Sequence, residues 1–248
     1  MKPNLYTLLY EGENKMSFHN FKSGCLICGN EIIVESKEVE HICAICNKKF
    51  ISSTICSNGH YVCDKCHSNS TEFINLLLNS KESDPTILFS QIENLPSVHM
   101  HGPEHHIIVP CVLLTAYKNC GGNIDLNSSI ETAIQRGKQV PGGTCGFFGT
   151  CGAAVGTGIY ASIVTNSSPL NEKSWYKPQK LVSRVINRLA QENAVRCCKR
   201  TSRHAILESI DWTKEYLGIN LDKSKFLCTL SSHNKECLHE NCPFYNRR

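Results

Sequence analysis

The chain has 248 residues, of which 41% are hydrophobic and 19% charged, so it can bury a core and is not a disordered segment. It carries 16 cysteines, and since residues 1–10 lack a long apolar run, no secretory signal is predicted and the thiols are expected in a reducing cytoplasm. The net charge of +4 is uneven, because residues 171–205 hold nine Lys or Arg against two Glu, which favours an anionic partner for that segment.

Residues 1–22 are predicted to be a variable lead-in, and residues 23–68 a small module that needs metal to fold. The module has few apolar runs, but it contains pairs of ligand residues at metal-binding spacing. The pairs are Cys25/Cys28, Cys43/Cys46, Cys56/His60 and Cys63/Cys66. Two residues between paired thiols let both thiolates reach one tetrahedral ion from a single tight turn. The eight ligands therefore predict two zinc ions.

Two ways of sharing these ligands fit the spacing. Residues 43–66 resemble the central stretch of RING-type cross-braced fingers, in which alternate pairs share an ion. That preferred pattern predicts one site of Cys25, Cys28, Cys56 and His60, and another of Cys43, Cys46, Cys63 and Cys66. The alternative is a four-cysteine ribbon followed by a site of three cysteines and one histidine. The resemblance lacks a terminal cysteine pair, so it does not imply ubiquitin-ligase activity, and closed tetrahedral sites favour a structural role.

Residues 69–248 are predicted to form the main domain, which is mostly α-helical because strand signals are sparse there. Helical spacing of apolar residues and capping residues predict six helices. These are residues 71–79, residues 86–95 after a capping Asp84, residues 110–119 opened by Pro110, residues 130–138 capped by Ser128 or Ser129, residues 180–191, and a last helix capped by Thr201 or Ser202 that runs to Tyr216. Residues 226–245 are predicted to be a cysteine-rich loop.

An uncharged stretch over residues 144–166 is long enough to cross a membrane. Its glycines, cysteines and hydroxyl residues keep its mean hydropathy low, however, so a turn followed by a helix buried in a soluble core is the better interpretation. We therefore expect no membrane association.

A histidine-dense link precedes this stretch. Residues 99–106 hold four histidines and Glu104, and imidazoles with a carboxylate suit zinc, iron or manganese at an open site that activates water. His101 and His105 are the candidates for binding metal or moving protons. The alternative is that these histidines cap helices or face solvent.

Seven further thiols lie downstream of the module. Cys145 and Cys151 occupy a glycine-rich turn leading into a helix, where the helix dipole should lower the pKa of a thiol, and cations flank Cys197 and Cys198. Cys228, Cys237 and Cys242 follow in the tail, and Pro243 after Cys242 is typical of iron–sulfur ligation. The seven are candidates for one iron–sulfur cluster or further zinc site, whereas Cys111 and Cys120 are predicted to be core residues. Tight helix packing with inert thiols is the alternative.

A basic stripe lies on one face of the helix predicted near residue 180. Its members, at three- and four-residue steps, are Lys177, Lys180, Arg184 and Arg188. They could bind RNA or another phosphate-bearing ligand, or simply form a solvated surface.

Three segments together resemble a cysteine-rich domain family of unknown function found in anaerobic bacteria and methanogenic archaea. They are residues 102–106, 143–152 and 196–200, and the resemblance covers roughly residues 55–245. Members occur alone or attached to S-adenosylmethionine-dependent methyltransferases. The resemblance implies an anaerobic cytoplasm and a methyltransferase or radical enzyme as a separate partner. It also marks Cys145, Cys151, Cys197, Cys198, His105 and His106 as motif positions.

Two hypotheses of different classes follow, and the sequence does not decide whether the protein is an enzyme. In the first, a Cys-ligated metal centre in the helical domain serves sulfur transfer, methyl transfer or redox chemistry at a thiol. In the second, the zinc module and the basic helix form a non-catalytic adaptor that docks a partner protein or RNA. The thiols far from the zinc sites favour the first hypothesis.

Overall fold

A computed structural model describes residues 23–67, 71–95 and 97–247, so the predicted lead-in over residues 1–22 lies outside the described residues. Within these ranges the chain forms one β-hairpin followed by a helical domain, which confirms the predicted fold class. The strands are β1 (Ile32–Ile42) and β2 (Lys49–Cys56). The helices are α1 (Asp64–His67), α2 (Thr71–Asn79), α3 (Pro85–Glu93), α4 (His105–Asn119), α5 (Leu126–Gly137), α6 (Thr144–Phe147), α7 (Gly152–Val164), α8 (Tyr176–Ala190) and α9 (Cys198–Leu217).

The hairpin region, residues 23–67, consists of β1, β2, α1 and their turns and builds almost no apolar core of its own. β1 pairs with β2 in antiparallel register from Ile32 opposite Cys56 to Ile42 opposite Lys49, with an irregularity between Val34 and Val39. Several apolar side chains of the hairpin are exposed, Ile51 to 72%. Burial is instead concentrated on the cysteines, which is expected of a module held together by its ligand clusters.

Helix α4 is the centre of the helical domain. It packs against α2, α3, α5, α7 and α9, and every residue from His105 to Tyr117 is buried. A helix that is buried all round has no polar face, which explains the continuous apolar run in this part of the sequence. Cys111 is fully buried in this core and Cys120 packs against it, as predicted.

Several predicted helix starts are wrong by a few residues. α4 begins at His105, so Pro110 lies inside the helix. Proline has no N–H to donate within the helix, and the burial of α4 on all sides offsets the lost hydrogen bond. α5 begins at Leu126, and the cap is the Asp125 carboxylate, which accepts from the Ser128 N–H, instead of a serine. α8 begins earlier than predicted, at Tyr176. By contrast, α2 has the predicted bounds and Asp84 caps α3 as predicted.

α9 also begins earlier than predicted. The Cys197 sulfur, at the capping position, accepts a hydrogen bond from the Arg200 N–H at 3.5 Å, so neither Thr201 nor Ser202 is the cap. The helix consequently includes Cys198 and Lys199 in its first turn, which places both residues near the start of α4.

The uncharged stretch over residues 144–166 forms a turn and a largely buried helix, as predicted. α6 is a single turn, and α7 buries Ala153, Ala154 and Tyr160 against α4, α5, α8 and α9. None of the helices in the described ranges combines the length and the apolar character that a membrane-spanning segment needs.

Candidate functional site

The hairpin region carries two clusters of four ligand residues. In each cluster the ligand atoms lie within 4.8 Å of one another. The first cluster consists of Cys25, Cys28, Cys56 and His60, and the second of Cys43, Cys46, Cys63 and Cys66. This is the alternating arrangement that the sequence favoured, and not the sequential one.

The geometry of both clusters suits a tetrahedral ion. A Zn–S bond of about 2.3 Å places two thiolates of a tetrahedral site about 3.8 Å apart. The Sγ atoms of Cys46 and Cys63 are 3.8 Å apart and those of Cys28 and Cys56 are 3.5 Å apart, while His60 Nδ1 lies 3.3 Å from Cys28 Sγ. The two clusters are therefore compatible with two metal ions, and three or four thiols in each favour zinc.

Local backbone structure produces the alternation. Cys43 and Cys46 lie in the turn between the strands, whereas Cys56 ends β2. After β2 the chain returns to this turn, because the Ala44 N–H donates to the Tyr61 carbonyl at 2.8 Å. The return brings Cys63 and Cys66 to the second cluster instead of leaving them with Cys56.

Backbone donors and crowding act in opposite directions on the thiols. Burial alone would raise the pKa of Cys43, but N–H groups, led by that of Cys63, lower it to about 7. The pKa of Cys56 is likewise lowered to about 7, against its burial, by the Asn58 N–H and neighbouring ligands. Burial and adjacent thiols raise the pKa of Cys25 to about 11 and that of Cys66 further. The thiols of each cluster therefore need a cation before all of them can lose their protons.

The second cluster connects directly to the helical domain through α1. Asp64, between Cys63 and Cys66, accepts a hydrogen bond from the Gly142 N–H at 2.7 Å. His67, directly after Cys66, lies with Nδ1 3.0 Å from the Glu104 carboxylate. The four-residue helix thus touches both the glycine-rich loop and the start of α4.

Glu104 is the centre of a largely buried polar cluster. Its residue is fully buried, and its carboxylate also accepts the His99 N–H at 3.2 Å and lies 3.6 Å from His105 Nδ1. Burial would raise the pKa of this carboxyl, but the imidazole of His67 and then those of His105 and His99 hold it well below its usual range. His67, His99 and Glu104 form a third group whose ligand atoms converge within 4.8 Å.

His105 is held as a neutral imidazole. Burial, and then the charge of buried Lys199, lowers the pKa of His105 to about 3. Because Nδ1 lies 3.0 Å from the Gly102 carbonyl, it carries the proton and donates, which leaves the lone pair on Nε2. Within the part of the chain that the structure describes, Nε2 is buried without a hydrogen-bond partner. His105 therefore offers a buried, unprotonated nitrogen lone pair.

Three of the downstream thiols meet beside this cluster. The Cys198 thiol receives a hydrogen bond from the Gly102 backbone and interacts electrostatically with Cys151 and Glu104. Cys151 interacts in turn with Thr201 and with Cys145, which is exposed. The three segments of the family resemblance thus converge where α4, α7 and α9 begin.

The predicted lowering of the thiol pKa is wrong for Cys151, where it rested on the helix N-terminus, and for Cys197 and Cys198, where it rested on the flanking cations. Burial raises the pKa of Cys198 to about 12, and it also raises the pKa of Cys151 and of Cys197. Desolvation outweighs the backbone N–H donors at these thiols, of which Cys197 is buried and Cys151 and Cys198 are partly buried. Each is a neutral thiol at pH 7 until a base or a metal ion removes its proton.

The other downstream thiols lie elsewhere. Cys197 and Cys242 both interact electrostatically with Cys228, whereas the Cys237 sulfur accepts the His239 N–H in a surface turn. Across the described ranges, no downstream thiol belongs to a group of three ligands that converges within 4.8 Å. In the described ranges the seven cysteines are therefore not gathered into one group of converging ligand atoms.

Two further sequence candidates have partners outside this cluster. His101 contacts the tail, with Nε2 3.1 Å from Asn234 Oδ1 and 3.4 Å from Glu236, and burial lowers its pKa. In the basic stripe on α8, Arg184 and Arg188 form ion pairs with Glu215 and Glu192 at 2.6 and 3.4 Å. Lys180 is exposed and Lys177 half-buried.

Sequence reasoning did not identify the contributions of Asp64, His67 and Lys199. His67 directly follows a zinc-ligand cysteine, which was a signal that a second imidazole lies near the module. Glu104 and His99 were part of the histidine-dense segment, but their partner lies 37 residues before Glu104, so no local spacing could indicate the group.

Comparison with known families shows which part of the chain a family model covers. A family model described as a family of unknown function (DUF5714) matches residues 73–245. No curated protein and no solved structure matches the chain. The matched range includes Glu104, Cys151 and Cys198 but begins after the hairpin and α1, so Asp64 and His67 reach the cluster from outside it.

Proposed function

The chain belongs to the DUF5714 family, whose function is unknown, and we propose that it is a metal-binding protein with a thiol-dependent catalytic site. Two zinc ions in the hairpin clusters are structural in this proposal, since closed four-ligand sites leave no position for a substrate. The catalytic groups belong to the helical domain.

One observation carries the catalytic part of the proposal. Cys145 and Cys151 come from the glycine-rich segment and Cys198 from the start of α9, yet they interact next to buried Glu104 and His105. Burying thiols, a carboxylate and imidazoles together disfavours folding unless the groups serve one another or a ligand. A core packed for stability alone would use apolar side chains here.

The roles follow from exposure and proton affinity. Cys145 is the exposed thiol and contacts the substrate. Cys151 and Cys198 are partly buried and line the inner side of the site. In sulfur transfer, the Cys145 thiolate attacks the outer sulfur of a persulfide, the S–S bond breaks, and the donor leaves as a thiolate. In methyl transfer, the thiolate attacks the methyl carbon of a sulfonium donor and the C–S bond breaks, releasing a thioether.

An iron–sulfur cluster at the downstream thiols is the iron-containing form of this proposal. It suits the anaerobic cytoplasm and the methyltransferase or radical-enzyme partner that the family resemblance implies. Cys228 and Cys242, which lie close to one another near Arg203, are the tail ligands that would take part, with Cys237 as the third.

The test is transfer to the thiols themselves. Protein purified without oxygen is incubated with a low-molecular-weight persulfide or with S-adenosylmethionine, and its peptides are then weighed by mass spectrometry. We expect a sulfur atom or a methyl group on Cys145, Cys151 or Cys198. The visible absorption spectrum and the iron content of the same sample report an iron–sulfur cluster.

Cys120 is the internal control, because it is a partly buried thiol outside this site. Equal modification of Cys120 would indicate non-specific chemistry, and the Cys145→Ala variant should lose the adduct. A protein that holds zinc but takes up neither group at the three thiols contradicts the catalytic proposal.

A second candidate is the adaptor that binds RNA through α8. It is supported by Lys180, whose exposed side chain lies on the same helix as the ion-paired Arg184. Binding to a mixed RNA pool, measured at two salt concentrations, should be salt-sensitive and should weaken in Lys180→Glu. Lys37→Glu makes the same charge change on β1 and should leave binding intact. Equal loss in both variants would contradict a site on α8.

A further inference from the structure

We propose that His67, His99 and Glu104 bind a third metal ion, a divalent first-row transition metal with an open coordination position. This site goes beyond the proposed function, since its occupancy does not depend on what the thiols do. It joins α1 of the hairpin region to the start of the helical domain.

The positions of the ligand atoms suit one small ion. Oε2 of Glu104 is 3.0 Å from His67 Nδ1, and all three ligand atoms lie within 4.8 Å of one another. Bonds of about 2.0–2.2 Å from zinc to nitrogen and oxygen imply separations of about 3.3 Å between tetrahedral ligands. The other carboxylate oxygen accepts the His99 N–H, which orients Oε2 towards the imidazoles.

Gly102 shows how closely the backbone approaches this group. A Cβ atom at Gly102 would lie 2.0 Å from Glu104 Oε2 and 2.4 Å from His67 Cε1. The absence of a side chain is therefore required for the carboxylate and the imidazole to meet. Such a close approach is usual where backbone and ligands surround a bound group.

Burial adds an electrostatic reason. Glu104 is fully buried, and the imidazole of His67 lies 3.0 Å from its carboxylate. A buried carboxylate is costly unless a cation balances it, and a divalent ion would balance it without any proton on a histidine. The same ion would let His67 and His99 bind as neutral ligands.

The ligand set differs from that of the zinc clusters. Two imidazole nitrogens and one carboxylate oxygen suit zinc, iron(II) or manganese(II), and three protein ligands leave a position for water or a substrate oxygen. An ion of this kind activates bound water or polarises a carbonyl. His105 Nε2 lies nearby as a buried nitrogen lone pair without a hydrogen-bond partner among the described residues.

The experiment counts metal ions in the full chain. Protein purified without oxygen is saturated in turn with zinc, iron(II) and manganese(II), desalted, and analysed by inductively coupled plasma mass spectrometry. We expect three ions per chain in the wild type with at least one of these metals. His99→Ala and Glu104→Gln should each bind two.

His101→Ala is the matched control, because it removes an imidazole from the same segment but outside the group, and it should keep three ions. If Glu104→Gln does not fold, His99→Ala decides. Cobalt(II) added to zinc-loaded protein separates the sites further, since nitrogen and oxygen ligands give weak bands without the thiolate charge-transfer absorption. Two ions in the wild type, or a third ion that survives His99→Ala, would overturn the proposal.

Discussion

Glu104 Oε2 lies 3.0 Å from His67 Nδ1, although the two residues belong to the helical domain and the hairpin region respectively. Next to this contact, Asp64 accepts the Gly142 N–H from the loop that carries Cys145. Asp64 and His67 both lie on α1, which directly follows Cys63 and contains Cys66, two ligand residues of the second cluster. A metal ion in that cluster would therefore help to position side chains of the helical domain.

Removing one thiol of the second cluster should remove its ion. In Cys43→Ser the hydroxyl does not replace a thiolate, so we expect the thiolate-to-metal absorption of the cobalt-substituted protein to fall to about half of the wild-type value. Because a structural zinc contributes on the order of 10 kcal/mol to folding, the hairpin should also lose amide-exchange protection. Cys120→Ala is the control and should keep the full absorption. Full absorption in Cys43→Ser would contradict the assignment.

A methyl group at Gly102 should disrupt the meeting of Glu104 and His67. Its Cβ would overlap both side chains, and overpacking of this kind costs about 1–3 kcal/mol of unfolding free energy. Urea unfolding followed by circular dichroism measures the loss. Gly146→Ala is the matched control, because no atom lies within 4 Å of that Cβ. Equal stabilities of the two variants would show that the close approach at Gly102 does not exist.

The ion pair between Arg203 and Glu93 should be far more sensitive to substitution than a surface pair. Arg203 donates to both carboxylate oxygens at 2.8 Å, and both side chains are 1% exposed. Glu93→Gln leaves a buried guanidinium without its counter-charge, so we expect a loss of about 3–5 kcal/mol in unfolding free energy. Glu215→Gln breaks the exposed pair with Arg184 and should cost less than about 1 kcal/mol. Similar losses would contradict the burial of the first pair.

Alkylation should separate the exposed thiol from the buried ones. Cys145 is exposed, whereas burial raises the pKa of Cys198 to about 12, which leaves on the order of one thiolate in ten thousand at pH 8. With iodoacetamide we expect Cys145 to react first, with Cys198 and Cys111 protected until the chain unfolds. Peptide mass spectrometry follows each site, and unfolded, metal-free protein is the control. Rapid labelling of native Cys198 would show that its environment is open.

Local spacing was sufficient to predict the two clusters of ligand residues and the presence of most helices. Each ligand pair lies on one turn, so its members meet whatever the rest of the chain does, and the eight clustered residues were identified from the sequence. Helix α2 likewise follows from apolar periodicity alone. The start of α9 did not, because a cysteine sulfur took the place of the usual hydroxyl cap.

The sequence by itself therefore determined what adjacent residues complete: two clusters of metal-ligand residues, a buried glycine-rich helix and a mostly helical domain. Only the tertiary structure decided which distant groups meet. It placed His67 against Glu104 and Cys198 against Cys151, and it raised the pKa of thiols that a helix N-terminus alone would have lowered. The physical reason is that contacts between separated segments depend on how helices pack around α4, and burial there outweighs the local dipole.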